Sequence, residues 1–392
     1  VPVFCKMTSL TKQPSQAGEK LLRFDVLRGI AIISVFYYHY LMNFSQELSY
    51  KAETGVLDTA GQPFSRFFYT FFPGSYGDSG VMLFFVISGF LIHYSFLKSG
   101  RPRLEFRAYI GRRFWRIYPP YLVAFLFFAF CTSHQPLSPE VIRQHAVSWI
   151  SHLFLVHNFS AATFYDVNSS FWSLAVEWQF YLLYPVVLWL RGRMGMRKTT
   201  LLLLGLYPLY TLGMVLWCAN PIANTIHVLS TFRLWGIWAL GAWIAENYID
   251  GKRTFSIPGG VIAALFIGFM AGKYFMNWLY LNHIGWGVLW AILVDKYIAS
   301  ADRNLSAWEK LLIPVGVCSY SFYLFHQPLL PLLYSYISVF GLSERIRLLH
   351  LLDSLPIFVL LFLLSHALYE WVELPSVAFG KKRQKKAAAV AA

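Results

Sequence analysis

Long apolar runs recur along the chain, each bounded by basic or turn-forming positions, at roughly 24–44, 80–97, 117–133, 171–190, 200–218, 228–245, 255–272, 277–299, 311–336 and 354–374. A hydrocarbon layer about 30 Å thick needs about 17 to 25 residues of helix at 1.5 Å each. The pattern therefore predicts an all-α polytopic membrane protein with about ten transmembrane helices. ISHLFLVHNF at 150–159 is too short to span. The longest connections, at 45–79 and 134–170, are rich in Gly, Pro, Ser and aromatic residues, which predicts ordered loops or re-entrant pieces. The organisation expected is a cytoplasmic N-terminal segment over 1–22, one membrane domain over 23–376 and a basic, disordered tail over 377–392. No internal repeat is visible, which weakens an inverted-repeat transporter.

Composition narrows this further. Hydrophobic residues make up 57% of the 392 and charged residues 13%, with a mean hydropathy of +0.49, more than a soluble domain can carry on its surface. Aromatic residues at 19% suit many spans with interfacial belts of Trp and Tyr. The net charge of +14 does not point to nucleic acid, because the basic residues fall in blocks between apolar segments. Threading the ten spans from a cytoplasmic N-terminus leaves 26 basic residues inside. Only Lys51, Arg66, Arg143, Lys273, Arg345 and Arg347 fall outside, and Arg233 sits within a span. That bias predicts both termini in the cytoplasm. The start VPVFCKMTSLTKQPSQAGEK lacks the apolar core of a signal peptide, so the first span is expected to be retained. Cys5, Cys131, Cys218 and Cys318 show no CxxC or CxxH spacing, and neither a metal site nor a disulfide framework is indicated.

Four constellations could carry chemistry. In LRFDVLRGIAIISVFYYHY, Arg28 and His39 are eleven residues apart, or about 1100° of helical rotation, so they share one face with a rise of about 16 Å between them. Arg28 is placed at the membrane edge and His39 deep inside, where an unpaired polar group is costly; the structural alternatives are snorkelling and helix packing. In KSGRPRLEFRAYIGRRFWRIYPPY, the spacing of Arg112, Arg113 and Arg116 lets all three converge on one anion. Guanidinium forks match a phosphate-bearing cytosolic donor, or anionic lipid heads. In SSFWSLAVEWQFYLLYP, Ser173, Glu177, Tyr181 and Tyr184 make a polar stripe. The Glu177 carboxylate needs a partner such as His39, Arg28 or Arg233. In CSYSFYLFHQP, Ser319, Tyr323 and His326 share a face, with His326 read as a hydrogen-bonded packing residue, as are His93, His152, His157 and His366.

In this order, these segments resemble the acyltransferase-3 family of integral membrane acyltransferases. RFDVLRGIAIISVFYYH looks like its opening signature and FFVISGFLI like its second-helix signature. RRFWRIYPPY matches its Arg-x-x-Arg segment through Arg113 and Arg116. FWSLAVEWQFYLLYP matches its Glu-bearing segment, with Trp178 where a second acidic residue is common, and FRLWGIWALGAWIAE, YSFYLFHQP and the ELP at 373–375 look like later landmarks. The resemblance implies transfer of an acyl group, usually acetyl from acetyl-CoA, to a hydroxyl of a carbohydrate or glycolipid acceptor. It further implies a bacterial cytoplasmic membrane location and, from the chain's length, the stand-alone type without a fused hydrolase-like domain. The expected roles are His39, Glu177 and Arg28 in catalysis, with Glu177 orienting or charge-balancing the His39 imidazole, and Arg112, Arg113 and Arg116 on the donor. Asp25, Trp172, Ser173, Tyr181, Arg233 and His326 are expected to support them. No permanently bound cofactor or metal is expected; acyl-CoA is a co-substrate, and the partners are the acceptor and the lipid bilayer. The alternatives are a transporter or proton relay, or a polytopic acyltransferase acting on lipid or protein.

Overall fold

The computed structural model describes residues 16–44, 76–131, 138–217, 225–276, 281–300, 303–337 and 350–391. Among these the regular structure is helical and no strand is present, as backbone buried in hydrocarbon requires of anything other than a closed barrel. Twelve helices are named in chain order: α1 Gln16–Phe44, α2 Asp78–Lys98, α3 Phe106–Leu126, α4 Pro139–Leu153, α5 Phe171–Trp217, α6 Thr231–Ile249, α7 Gly259–Met276, α8 Asn282–Ala299, α9 Ala307–Val317, α10 Ser319–Ile337, α11 His350–Leu368 and α12 Leu374–Ala391. Among the described residues, four helical stretches are long and apolar enough to cross a membrane: Asp78–Lys98, Phe171–Trp217, Ile226–Ile249 and Leu352–Lys386. This is an all-α membrane protein. The outer connection expected at 45–79 falls outside the described residues up to 75, as do Lys51, Arg66, Arg345 and Arg347.

Several boundaries follow from local chemistry. α5 is two helices merged across Gly195, whose φ of 81° and ψ of 159° break the ladder where the hydropathy pattern separates two spans. The run at 311–336 is likewise divided, between α9 and α10 at Cys318. The long connection at 134–170 contains α4, capped by the Ser138 hydroxyl accepting from the Val141 N–H. The tail from 377, expected to be disordered, continues in α12 and packs along α3 through Phe379 and Gln384. Phe379 stacks edge-on to Trp115 at 4.7 Å, and Gln384 donates to the Ala108 carbonyl at 2.9 Å. An exposed basic stretch becomes ordered here because its apolar face finds a partner helix.

α2 lies at the centre, against α1, α6 and α8. Between helices already in lipid there is little hydrophobic drive, so close approach at small residues supplies the packing. A Cβ on Gly241 would overlap the Val86 carbonyl, and one on Gly89 the Trp238 carbonyl, so α2 and α6 meet backbone to backbone. Gly316 does the same for α9 against Asp25 of α1.

Two prolines supply docking points. A proline nitrogen cannot donate, which leaves the carbonyl four residues earlier open. Pro328 frees the Leu324 carbonyl, which accepts from Asn168 Nδ2 at 2.8 Å. Pro119 frees the Trp115 carbonyl, which accepts from Ser376 Oγ at 2.6 Å. At the far end of α2, Glu246 accepts from Arg191 at 2.6 and 2.8 Å and bonds His93 at 2.7 Å, while Tyr184 bonds the other His93 nitrogen at 3.0 Å. His93 thereby ties α2, α5 and α6 together.

Candidate active site

Helices α1, α2, α3, α5 and α10 enclose a cavity of about 100 Å³. Arg28 enters it from α1, Ser88 from α2, Arg113 and Arg116 from α3, Ser173, Glu177 and Tyr181 from α5, and Ser319, Tyr320 and Tyr323 from α10. The walls between are apolar, including Phe84, Phe85, Leu91 and Leu174. Three guanidinium groups thus share one cavity with one carboxylate. Glu177 is occupied by Tyr181, whose hydroxyl donates to it at 2.5 Å, and Ser88 in turn donates to Tyr181 at 3.4 Å.

The cations are held from behind. Arg28 donates to Asp25 one turn earlier at 2.8 Å. Arg113 lies over the Tyr109 and Tyr181 rings, at 5.9 and 5.8 Å from their centroids. The carboxylates of Glu373, Glu177 and Asp25 all act on Arg116. Glu373 is itself buried in the π-helical turn Tyr369–Glu373 and accepts from Ser321 at 3.1 Å. Buried charges are tolerated only with such partners. Sequence reasoning assigned Glu373 no role; the ELP at 373–375 was its only signal.

His39 lies beyond the cavity rather than in its wall. Its Nδ1 is 3.0 Å from the Val35 carbonyl and 3.0 Å from His326 Nε2. The path from the cavity is short: the Tyr323 ring, in the wall, is 5.4 Å from His326, whose ring is 4.9 Å from His39. Tyr323 and Ser173 share a hydrogen bond of 2.6 Å, and the Tyr323 hydroxyl also reaches the Ser170 carbonyl at 3.1 Å.

A model described as an acyltransferase domain matches residues 21–369. The chain belongs to the acyltransferase-3 family. It is 27% identical over 289 residues to an O-acetyltransferase OatA of Staphylococcus aureus, a match covering 66% of this chain and 47% of that protein. It is 26% identical over 340 residues to a peptidoglycan O-acetyltransferase OatA of Listeria monocytogenes, covering 79% of this chain and 49% of that one. The chain thus spans about half the length of the curated relatives it matches. No solved structure matches.

In this acyltransferase-3 member the expected site residues separate into groups. Arg28, Arg113, Arg116, Ser173, Glu177 and Tyr181 come together at the cavity, with Asp25 behind Arg28. Arg112 does not join them; it is exposed and directed at Gln384, 3.5 Å away. Glu177 bonds Tyr181, and His39 Nδ1 bonds His326 and Val35, so at this nitrogen a second histidine stands where Glu177 was expected. His326, read above as packing, is that histidine. Arg233 lies apart, donating to the Val228 carbonyl at 2.6 Å and resting 4.0 Å from the Tyr207 ring centroid. Trp172 stacks on Phe164 at 6.2 Å and does not line the cavity. His152 and His157 stack at 3.9 Å near α4; burial, then the neighbouring His152, pushes His157 down to about 3. No group of three or more His, Cys, Asp or Glu among the described residues is placed to hold a metal.

Proposed function

We propose that this protein is a membrane O-acyltransferase that moves an acyl group, foremost acetyl, from cytosolic acyl-CoA to a hydroxyl of a cell-envelope carbohydrate. The observation that carries this reading is the cavity, where Arg28, Arg113 and Arg116 converge from two helices beside a wall of Phe84, Phe85, Leu91 and Leu174. Guanidinium forks bind the phosphates of the donor, and the apolar wall takes its thioester arm. The names of the OatA relatives support the O-acetyl chemistry and a cell-wall acceptor, and the positive-inside bias supports entry of the donor from the cytoplasm and a bacterial cytoplasmic membrane.

The acyl step falls to His39. Its Nδ1 engages Val35 and His326, so its Nε2 serves as the base. As the acceptor oxygen bonds to the thioester carbonyl carbon, its proton passes to Nε2. The tetrahedral species then collapses with breakage of the carbon–sulfur bond, and the proton returns to the departing thiolate to give free CoA. Arg28, about 16 Å towards the cytosol on the same face of α1, helps place the donor. Glu177 and Tyr181 keep a neutralising carboxylate opposite the arginines.

Mass spectrometry of envelope polysaccharides from cells with and without the protein tests the reading. An alkali-labile acetyl mass present only with the protein is expected. Identical polysaccharides, accompanied by solute uptake or current without CoA consumption, would replace the reading by a transporter.

A further inference from the structure

The contact between His39 and His326 assigns the protons of both rings. His326 Nδ1 lies 2.8 Å from the Tyr323 carbonyl, and His326 Nε2 lies 3.0 Å from His39 Nδ1, which is also 3.0 Å from the Val35 carbonyl. Carbonyl oxygens only accept. His326 Nδ1 must therefore carry a hydrogen, and in the neutral ring its Nε2 is left as an acceptor. His39 Nδ1 must then be the donor, sharing its hydrogen between Val35 and His326. The reverse arrangement, with His326 Nε2–H donating to His39 Nδ1, would set a nitrogen lone pair against a carbonyl oxygen at both Tyr323 and Val35. One pattern satisfies all three contacts.

We infer that His326 is a positioning residue. With the Val35 carbonyl it holds His39 in the Nδ1–H tautomer, so that Nε2 carries the basic lone pair, and it accepts a strengthened hydrogen bond when His39 becomes an imidazolium. This rests on the reading of His39 as the base. The Tyr323 carbonyl is well placed to hold His326 because α10 is anchored there: Asn168 bonds the Leu324 carbonyl at 2.8 Å, and the Ser170 hydroxyl bonds Gln327 at 2.5 Å. The His326 ring is fully buried and does not line the cavity, so it acts through His39 rather than on substrate. A buried neutral histidine here replaces the carboxylate that commonly orients a catalytic imidazole.

Two measurements test this on the full-length protein in lipid nanodiscs. Nitrogen-15 histidine NMR reads the tautomer without reference to activity, with His39→Ala and His326→Ala assigning the signals. Wild type should show His39 as the Nδ1–H form, and His326→Ala should raise the share of the Nε2–H form, because the Val35 carbonyl alone then holds the Nδ1 proton. In turnover with acetyl-CoA, His326→Ala should lower kcat by about 10- to 100-fold, the scale of one hydrogen bond to a charged group, with KM for acetyl-CoA nearly unchanged. His326→Gln, whose amide oxygen can accept from Nδ1–H, should restore part of kcat. An unchanged share of the Nδ1–H form in His326→Ala, or equal kcat in the Ala and Gln variants, would overturn the inference. A wild type with the expected tautomer but no turnover would instead remove the acyltransferase reading and leave the ring pairing in place.

Discussion

Arg112, Arg113 and Arg116 share one stretch of α3, yet only the last two reach the cavity. On the helix Arg116 lies between the other two, about 60° from Arg113 and about 40° from Arg112, so what separates Arg112 is its neighbour, Gln384 of α12, which receives it. Arg113→Ala and Arg116→Ala should each weaken acetyl-CoA binding by about 10- to 100-fold, as the loss of a charge-assisted hydrogen bond implies. The affinity should fall with salt, and Lys should rescue only in part because the fork is lost. Arg112→Ala should change it far less. Calorimetry on purified variants reads all three; equal losses would place Arg112 on the donor after all. At this scale helical spacing made much of the site legible. It put Arg28 and His39 on one face of α1 and Ser173, Glu177 and Tyr181 on one face of α5. It could not show which face met which, so it offered His39 as a partner for Glu177, although Glu177 bonds Tyr181 one turn on in its own helix and tertiary packing gives His39 to His326.

Elements meet where side chains are absent or backbone bonds are missing. Gly241→Leu should unfold the α2–α6 crossing, because a side chain there strikes the Val86 carbonyl rather than a movable side chain. Overpacking of this kind costs about 1–3 kcal/mol or more, read as a lower melting temperature in detergent. Gly268→Leu, with nothing within 4 Å, should leave melting unchanged. Asn168→Ala should cost about 1–3 kcal/mol, since it leaves the Leu324 carbonyl without a donor in a place where water is scarce. Hydropathy found the apolar segments because length and composition alone define them. It missed the division at Cys318 and the order of α12. The second depends on the contact of Phe379 and Gly380 with Trp115 of α3, which is not a property of the segment itself.

For the whole molecule, topology is the property that turns a cavity into a route. Residues Arg28, Arg113, Arg116, Glu373 and Tyr181 belong to the halves of their helices that the positive-inside bias assigns to the cytoplasm, while His39 lies towards the opposite face. Cysteine placed at exposed Ser160 should react with an impermeant reagent in intact cells, and cysteine at exposed Ser99 should not. Labelling at Ser99 alone would invert the orientation and put the arginines on the wrong side for a cytosolic donor.

The most direct measurement uses inverted membrane vesicles carrying the protein, supplied with carbon-14 acetyl-CoA on their cytoplasmic face. With the wild type, label should appear on envelope carbohydrate as an alkali-labile ester, with free CoA released. His39→Ala, inserted at equal amount and still binding donor, should transfer about 10²- to 10⁴-fold more slowly, the usual scale for loss of a general base. Equal transfer by the His39→Ala protein, or no acetyl-CoA consumed by the wild type, would contradict the account.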